Sequence, residues 1–277
     1  MYRWVADMNK LLRICIRYVR LYGRFVKFSV ISQMEYRINF ITAFLVETAY
    51  LLIKLLYASV PYRTGTDING WSPDAVLMYI GVFTIMSGLY SGLFYSNFTG
   101  LPAKIRTGSL DVLMTQPISL QFIVTLRQFD LGYTIPNVVG GGIMAGIGWH
   151  RLQLPFTWET AGGFVLLLAT GVLTAYSVFL LPQMLGFWTI RTNGVTELSN
   201  GIFEMNYVPM SVYSNLIQRI GTFVLPVFVI CNFPPMFVLG MMNSSMLLWA
   251  LLAPFWLLLL VRLIWQLALR GYTSASQ

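Results

Sequence analysis

The sequence predicts an all-α, polytopic membrane protein with six transmembrane helices, and three observations support this fold class. Hydrophobic residues make up 57% of the chain and charged residues only 10%, whereas soluble domains carry about 25% charged residues. The apolar residues occur in runs of about 20, the length that crosses the hydrocarbon core of a bilayer as a helix. The basic residues are concentrated at the N-terminus and in alternate loops, which is typical of membrane topology.

A basic amphipathic helix is predicted over residues 3–30. Its basic residues recur at spacings of three and four, which places them on one stripe of the helix: Lys10, Arg13, Arg17, Arg20, Arg24 and Lys27. Such a helix lies in the headgroup plane with its basic side toward anionic lipid, so membrane lipid is a predicted partner of residues 1–36. This cytoplasmic or interfacial helix has a second potential partner, a cytoplasmic protein. An organellar transit peptide is the alternative interpretation of the Arg-rich start.

Six apolar segments follow as predicted spans: 38–58, 75–97, 126–149, 158–188, 221–240 and 246–267. Upstream of the third, residues from 119 onward are predicted to be interfacial. The fourth span is longer than a bilayer core, so we expect it to tilt, to bend near Pro182 or to protrude. The transmembrane domain therefore comprises residues 37–270, and residues 271–277 form a cytoplasmic tail.

The distribution of basic residues predicts the orientation of the chain. If the N-terminus is inside, fifteen Lys and Arg residues fall in cytoplasmic segments, only Arg63 and Arg151 fall outside, and Lys54 lies within a span. Lys and Arg favour the cytoplasmic side of a membrane. Both termini are therefore predicted to be cytoplasmic, in a cell (plasma or inner) membrane. Because topology accounts for the net charge of +8, we do not expect nucleic acid as a partner.

Small residues recur at a spacing of four in two of the predicted spans, as Ser87, Gly88, Ser91 and Gly92 and as Gly142 and Gly146. Such positions let helix backbones approach closely in lipid. We expect them to pack helices within the chain, with a contact between subunits as the alternative.

The sequence lacks the motifs of nucleotide and metal chemistry. A P-loop needs Gly-Lys before Ser or Thr, but none of the four lysines follows a glycine. His150 is the only histidine, and Cys15 and Cys231 are the only cysteines, which is too few for the usual zinc sites. We therefore expect no catalytic residue, metal or cofactor in this chain.

Two ionisable residues lie inside the first predicted span. Glu47 and Lys54 share one helix face with Tyr50 and Tyr57. A charge at the centre of a bilayer costs about 2.5–3.5 kcal/mol on insertion scales, so this face is expected to meet another helix or an aqueous path. We interpret it either as a wall of a translocation pathway or as a structural link between helices.

Prolines interrupt the fifth predicted span at Pro226 and at Pro234 and Pro235. Proline lacks the backbone donor and clashes with the preceding helical turn. Backbone left unpaired in a membrane must be buried in protein or line a cavity. The sequence therefore predicts a short re-entrant hairpin on the outer side, with a simple kink as the alternative.

The connection at residues 100–118 predicts a short, sharply delimited cytoplasmic helix. Pro102 suits a first helical turn, Gly108 suits a C-terminal cap, and Ser109 and Asp111 suit a new helix start. Pro117 changes the chain direction before the third span. Such a helix is suited to receive force from a soluble partner, although a tight interfacial turn is the alternative.

This connection resembles a segment of the type 2 ATP-binding-cassette (ABC) export permeases, in the bacterial branch of uncharacterised transport-system permeases. The family pattern, Ile-x-x-Gly-x-Leu-Asp-x-Leu-Leu-x-x-Pro followed by a hydrophobic residue, is similar to Ile105, Gly108, Leu110, Asp111, Leu113, Pro117 and Ile118 in this chain. The prolines of the fifth span, Phe187-Trp188 and Tyr207-Val-Pro209 extend the resemblance. Gln116 departs from the family, which usually has arginine before the proline.

The resemblance implies the permease subunit of an ATP-driven exporter, in a dimer with a second copy or a sister permease. It also implies two separate ATPase subunits that bind ATP and Mg. The predicted ATPase-coupling residues are Lys104, Ile105, Arg106, Gly108, Leu110, Asp111, Leu113 and Pro117. Lys104 and Arg106 would contact an acidic groove of the partner, Ile105, Leu110 and Leu113 would fill an apolar cleft, and Asp111 would cap the turn after Gly108. The expected cargo is hydrophobic, amphipathic or cationic. An ion-coupled secondary transporter, with Glu47 as its coupling site, is the alternative.

Overall fold

The computed structural model describes residues 2–189 and 193–272, and within these ranges the chain is helical without a β-strand, which confirms the predicted fold class. The α-helices of the described ranges are α1 Tyr2–Glu35, α2 Arg37–Thr64, α3 Pro73–Tyr90, α4 Ser96–Thr99, α5 Leu101–Arg106, α6 Ser109–Met114, α7 Leu120–Leu126, α8 Leu131–Arg151, α9 Trp158–Gln183, α10 Asn193–Glu204, α11 Asn215–Arg219, α12 Val227–Cys231, α13 Phe233–Val238 and α14 Ser244–Gly271. Two π-helical turns, Ser91–Tyr95 and Ile220–Val224, and three 3-10 turns, Met184–Phe187, Met205–Tyr207 and Met210–Val212, join some of them.

Four helices of the described ranges are long and apolar enough to cross a membrane. They are Arg37–Thr64, Pro73–Arg106, Trp158–Phe187 and Ser244–Gly271. These correspond to the first, second, fourth and sixth predicted spans, and each except the fourth extends beyond the predicted range at both ends. The predicted number of six spans is not confirmed.

The centre of the bundle is the contact between α3 and α8, where glycines let the two backbones touch. A Cβ added to Gly141 would stand 2.6 Å from the carbonyl oxygen of Gly81, and one added to Gly148 would stand 2.9 Å from that of Asp74. Gly88 faces Asn137 in the same way. Glycine at these positions therefore sets the distance between the helices.

The prediction that Gly142 and Gly146 pack helices within the chain is wrong, and the alternative, a contact between subunits, stays a prediction. Both glycines face open space, and the residues of α8 that meet α3 are Gly141, Ala145 and Gly148. The contact surface of the helix is thus displaced by one residue, a rotation of about 100°. Gly88, by contrast, packs within the chain as expected.

The third predicted span, residues 126–149, corresponds to α8, which starts five residues later than predicted, and the residues from 119 onward that were predicted to be interfacial form the separate helix α7. α7 ends at Leu126 and α8 begins at Leu131, with the Asp130 carboxylate accepting hydrogen bonds from the amides of Gly132 and Tyr133. This N-cap satisfies donors that a helix start leaves unpaired. α1 lies across the break, where Gln33 donates to the Phe129 carbonyl at 2.6 Å and accepts from the Leu131 amide at 3.0 Å.

The segment from α10 to residue 211, which the sequence assigned to a loop before the fifth predicted span, runs from one end of the bundle to the other. The segment that begins with α10 packs in turn against Gln183, Tyr90, Phe83 and Tyr79, through Ser199, Phe203, Tyr207 and Asn206. It ends where Asn69 donates to the Ser211 carbonyl at 2.9 Å. Residues 69 and 211 therefore share one end of the bundle, although the sequence placed them on opposite sides of the membrane.

Residues 221–240 instead belong to a helical hairpin. The chain reverses at Leu225 and Pro226, which brings the Phe228 ring back against Gly221 and to 5.4 Å from the centre of the Tyr213 ring. α12 and α13 are buried against α9, where Gly171 approaches the Ile230 carbonyl. The apolar run is thus covered by protein along α12 and α13, which hydropathy does not distinguish from lipid.

Pro234 and Pro235 do not break this hairpin. They occupy the first turn of α13, where no backbone donor is required. The Asn232 amide bonds to the Phe228 carbonyl at 3.0 Å and the Met236 amide to that of Asn232 at 3.1 Å, so the helical path continues almost unbroken. The interruption lies at Pro226 alone.

The two ends of the bundle carry different segments. Residues 100–118, α1 and the C-terminal end of α14 lie at one end, which we call the coupling end; Arg17 there contacts Pro117, and Tyr272 packs on Phe187. Residues 65–72 and 150–157 and the hairpin lie at the opposite end. This arrangement moves Arg219 away from the coupling end, and Arg191 lies outside the described residues. The cytoplasmic orientation of the coupling end stays a prediction.

Candidate functional site

The two charged residues of α2 are joined through one buried amide of α8. The Asn137 amide nitrogen donates to the Glu47 carboxylate at 2.6 Å, and its oxygen accepts from the Lys54 ammonium at 3.0 Å. Asn137 also donates to the Tyr133 carbonyl and is 2% exposed. The Lys54 nitrogen lies 5.4 Å from the centre of the Phe83 ring, within the range of a cation–π contact. The Asn137 amide thus gives a hydrogen-bond partner to both charged side chains.

A polar cleft of about 480 Å³ opens beside this bridge, between α2, the α3–α8 pair and α10. Its acidic groups are Glu47 and Glu204. Its remaining lining is aromatic or carries hydroxyl and amide groups: Tyr50, Tyr90, Tyr95, Tyr133, Phe203, Tyr207, Ser87, Ser91, Ser96 and Asn200. No Lys or Arg is among these described lining residues.

The back wall of the polar cleft is a stacked aromatic cluster. Tyr90 stacks on Phe203 at 4.9 Å and packs against Phe179 at 4.8 Å, which fixes the ring at the base of the cleft. Immediately after Tyr90 the helix widens into the π-helical turn Ser91–Tyr95, and Ser91 and Tyr95 of this turn line the cleft. Turns of this kind occur frequently at functional sites.

Carboxylates and aromatic faces both attract cations. A carboxylate at mid-bundle supplies the charge, and aromatic rings add cation–π attraction that strengthens when the site is shielded from water. Glu47 keeps one oxygen on Asn137, so its position is fixed. The described lining of the polar cleft therefore combines the two kinds of group that attract cations.

The four residues predicted on α2 separate into different environments. Glu47 and Tyr50 line the polar cleft. Lys54 lies beside it and is held by Asn137, so it serves the structural link that was the alternative interpretation. Tyr57 is 46% exposed and lies outside the cleft lining. The structure thus brings half of the predicted set to one cavity.

Sequence reasoning missed Asn137 and Glu204. Asn137 follows Pro136 in an otherwise apolar, glycine-rich run, and a lone amide in such a run is the signal that could have found it. Glu204 was hidden because its segment was assigned to a loop, so no span-like pattern placed it near Glu47. The tyrosines of α3 and α8 carry no pattern that distinguishes cleft from core.

The segment at residues 100–118 forms two short helices around Gly108. α5 continues directly from α3 and α4, and Gly108 then takes a left-handed conformation with φ of 70°. Glycine adopts this conformation without the strain that other residues suffer. α6 starts at Ser109, as predicted, but no side chain caps it.

The predicted apolar contacts of this segment are wrong. Leu110 is fully buried and Ile105 is 8% exposed, and both belong to the chain's own core, with Leu113 packed against it. They therefore anchor the segment and cannot fill a cleft on another protein. The exposed side chains of this segment include Arg106, Val112, Met114 and Pro117, and Lys104 is half-buried.

Asp111 lies next to the C-terminal end of α14 rather than at a cap. Burial and the neighbouring Asp111 carboxylate raise the pKa of the Tyr272 phenol. The Tyr272 ring packs on Phe187, and Phe187 packs on Trp265 of α14. A displacement of α6 would therefore shift Tyr272 and, through Phe187, the C-terminal ends of both α9 and α14.

Comparison with known proteins identifies the family of the chain. The family model of the ABC-2 family transporter protein matches residues 47–276, which is most of the chain. No curated protein and no solved structure matches the chain. The matched range contains the polar cleft, the segment at residues 100–118 and the four long apolar helices, except for the first ten residues of α2. This multi-pass membrane protein therefore belongs to the ABC-2 transporter family and is a permease of an ABC transporter.

Proposed function

We propose that the chain is the permease subunit of an ATP-driven exporter whose cargo is a cationic amphipathic molecule. Separate nucleotide-binding subunits hydrolyse ATP with Mg, and the permease works as a dimer with a second copy or a sister permease. The observation that carries the cargo class is the polar cleft, in which Glu47 and Glu204 lie among aromatic rings without a basic residue in the described lining. The hydrophobic part of the cargo would lie against Phe203 and the tyrosines.

The ATPase subunit would act on the exposed surface of residues 100–118. This segment is anchored through the buried Leu110 and follows α3, which supplies Ser87 and Tyr90 to the polar cleft. Arg106 and the half-buried Lys104 offer positive charge to an acidic groove, and Val112 offers an exposed apolar contact. A push on this surface would move α3, whose π-helical turn lines the cleft.

Copurification tests the ATP-driven mechanism directly. The tagged permease, expressed with the genes that surround it, should retain an ATPase chain through purification. The variant Val112→Arg should release this chain, because residue 112 is 65% exposed and the substitution leaves the core intact. Phe156→Arg is the control, since residue 156 is an exposed apolar residue in the loop at the opposite end of the bundle.

The variant Gly108→Val is a second test of whether residues 100–118 transmit force from the ATPase. A β-branched residue in the left-handed conformation costs about 1–3 kcal/mol, so the turn should be reshaped and transport uncoupled from ATP hydrolysis. If both variants bind the ATPase normally and export at the wild-type rate, residues 100–118 do not transmit force. If no ATPase copurifies with wild-type protein that still transports, the exporter proposal is wrong.

A further inference from the structure

A second cavity lies at the coupling end, between α1 and the turn at residues 116–118. One wall consists of Arg13, Arg17, Arg20 and Arg24, and the other of Gln116, Pro117 and Ile118. Its volume is about 670 Å³. We call this cavity the arginine groove.

The two walls of the arginine groove are held together by hydrogen bonds. The Arg17 guanidinium donates to the Pro117 carbonyl at 3.2 Å, and the Ser119 amide donates to the Tyr18 hydroxyl at 3.2 Å. The Tyr18 ring also packs edge-on against Phe122 at 4.8 Å. The groove is therefore assembled by the fold and is not a property of α1 alone.

The arginine groove carries positive charge without an acidic residue among the described residues that line it. Within the part of the chain that the structure describes, the one ion pair joins Arg151 to Asp74 at the opposite end. Like charges four residues apart on a helix repel, as Arg13 and Arg17 do. A bound anion would relieve this repulsion.

The shape of the groove distinguishes among anions. Ile16, Leu21 and Ile118 line it together with the arginines, so half of the site is apolar. A phosphate group accepts paired hydrogen bonds from guanidinium groups, but inorganic phosphate would leave the apolar side empty. A phospholipid fills both, with its phosphate on the arginines and the start of its acyl chains on the isoleucines and leucine.

From these contacts we infer that the arginine groove is a binding site for an anionic phospholipid. Its headgroup phosphate lies between α1 and the turn at residues 116–118, and its glycerol and acyl chains follow the apolar side. The bound lipid joins α1 to the turn that precedes α7. This inference does not rest on the proposed export function or on an ATPase partner.

Native mass spectrometry of the purified, delipidated full-length chain tests the site. Phosphatidylglycerol should bind in one tight step, and phosphatidylcholine should bind more weakly. The double variant Arg13→Gln and Arg20→Gln should weaken phosphatidylglycerol binding about tenfold or more, since each basic residue near an anionic surface contributes about 1 kcal/mol. Lys27→Gln with Arg37→Gln removes equal charge outside the groove and should leave the tight step unchanged.

Gln116→Glu tests the second wall, because it is isosteric and places a carboxylate opposite the arginines. It should weaken phosphatidylglycerol binding as well. Equal loss in the Lys27 and Arg37 control, or no loss in Gln116→Glu, would show diffuse attraction to α1 and overturn the site. Displacement of the lipid by equimolar inorganic phosphate would reduce it to a phosphate site. If the groove variants keep the lipid but release an acidic protein partner, the groove is a protein contact and the lipid assignment is wrong.

Discussion

The helices Pro73–Arg106 and Arg37–Thr64 have similar mean hydropathy but opposite surroundings. In Pro73–Arg106, 72% of the most apolar stretch of the helix is buried inside the protein. In Arg37–Thr64, none of the corresponding apolar stretch is buried. The inner helix meets α8 through glycines, with backbone against backbone. The outer helix is held to α8 by the hydrogen bonds of Asn137 to Glu47 and Lys54.

This difference shows how one apolar composition serves two purposes. In lipid, apolar contact between helices gains little over contact with acyl chains, so close packing and polar bonds decide which helices associate. The α3–α8 pair forms a rigid centre by close packing. α2 packs on α8 where Leu51 lies against Gly140, and it is bonded to α8 through Asn137. The polar cleft lies beside this bonded contact.

The largest expected effect is at the α3–α8 contact. Gly141→Val would drive a side chain into the Gly81 carbonyl and the Ile85 amide, which is overpacking against backbone, and it should cost about 3 kcal/mol or more. The measurement is thermal unfolding of the purified protein in detergent. Gly142→Val is the matched control, because the adjacent glycine faces open space, and it should change stability by less than about 0.5 kcal/mol. Equal effects of the two variants would contradict the packing described here.

An intermediate effect is expected at the polar link of α2. Asn137→Leu removes both bonds and leaves Glu47 and Lys54 without their shared partner, so stability should fall by about 1–2 kcal/mol, since single bonds between membrane helices contribute about 0.6 kcal/mol on average. A double-mutant cycle with Glu47→Gln measures the coupling between the two residues. A coupling energy of zero would mean that α2 is held by apolar packing alone.

The smallest effect is expected on the outer face of α2. Ile41→Ala and Leu45→Ala alter side chains that are more than half exposed, so each should shift the unfolding temperature by less than about 2 °C. The same variants also test the proposed dimer. If a second permease copy binds to the outer face of α2, Ile41→Ala and Leu45→Ala should dissociate the dimer. Analytical ultracentrifugation in detergent distinguishes lipid contact from subunit contact on this face.

The conformation of single residues was predictable from the sequence. Which face of a helix packs against its neighbour, and whether an apolar segment is buried in protein or in lipid, were not. Gly108 was assigned correctly because a left-handed turn is a property of a single residue. Gly142 was misassigned because a shift of one position turns the contact face by about 100°. Residues 221–240 were taken for a span because apolar residues buried in protein and in lipid have the same composition.

The candidate site was predicted only in part for a similar reason. Glu47 could be found because a charge inside an apolar run requires a partner. Its partner Asn137 and the second carboxylate Glu204 come from segments about 90 residues and more away, and no local pattern relates these segments to α2. Ile105 and Leu110 match the family pattern, but only the fold shows that they anchor the segment.

Uptake of tetraphenylphosphonium into proteoliposomes tests the central claim most directly. Wild-type permease, reconstituted inside-out with its ATPase subunit, should accumulate this lipophilic cation when ATP is added. Glu47→Gln keeps an oxygen for Asn137 but removes the charge of the polar cleft, so accumulation should fall about tenfold or more, as expected for the loss of one charge contact in a shielded site. Glu159→Gln removes an exposed carboxylate at the start of α9 and should transport like wild type. Wild-type accumulation by Glu47→Gln, with normal assembly, would contradict a cationic cargo in the cleft.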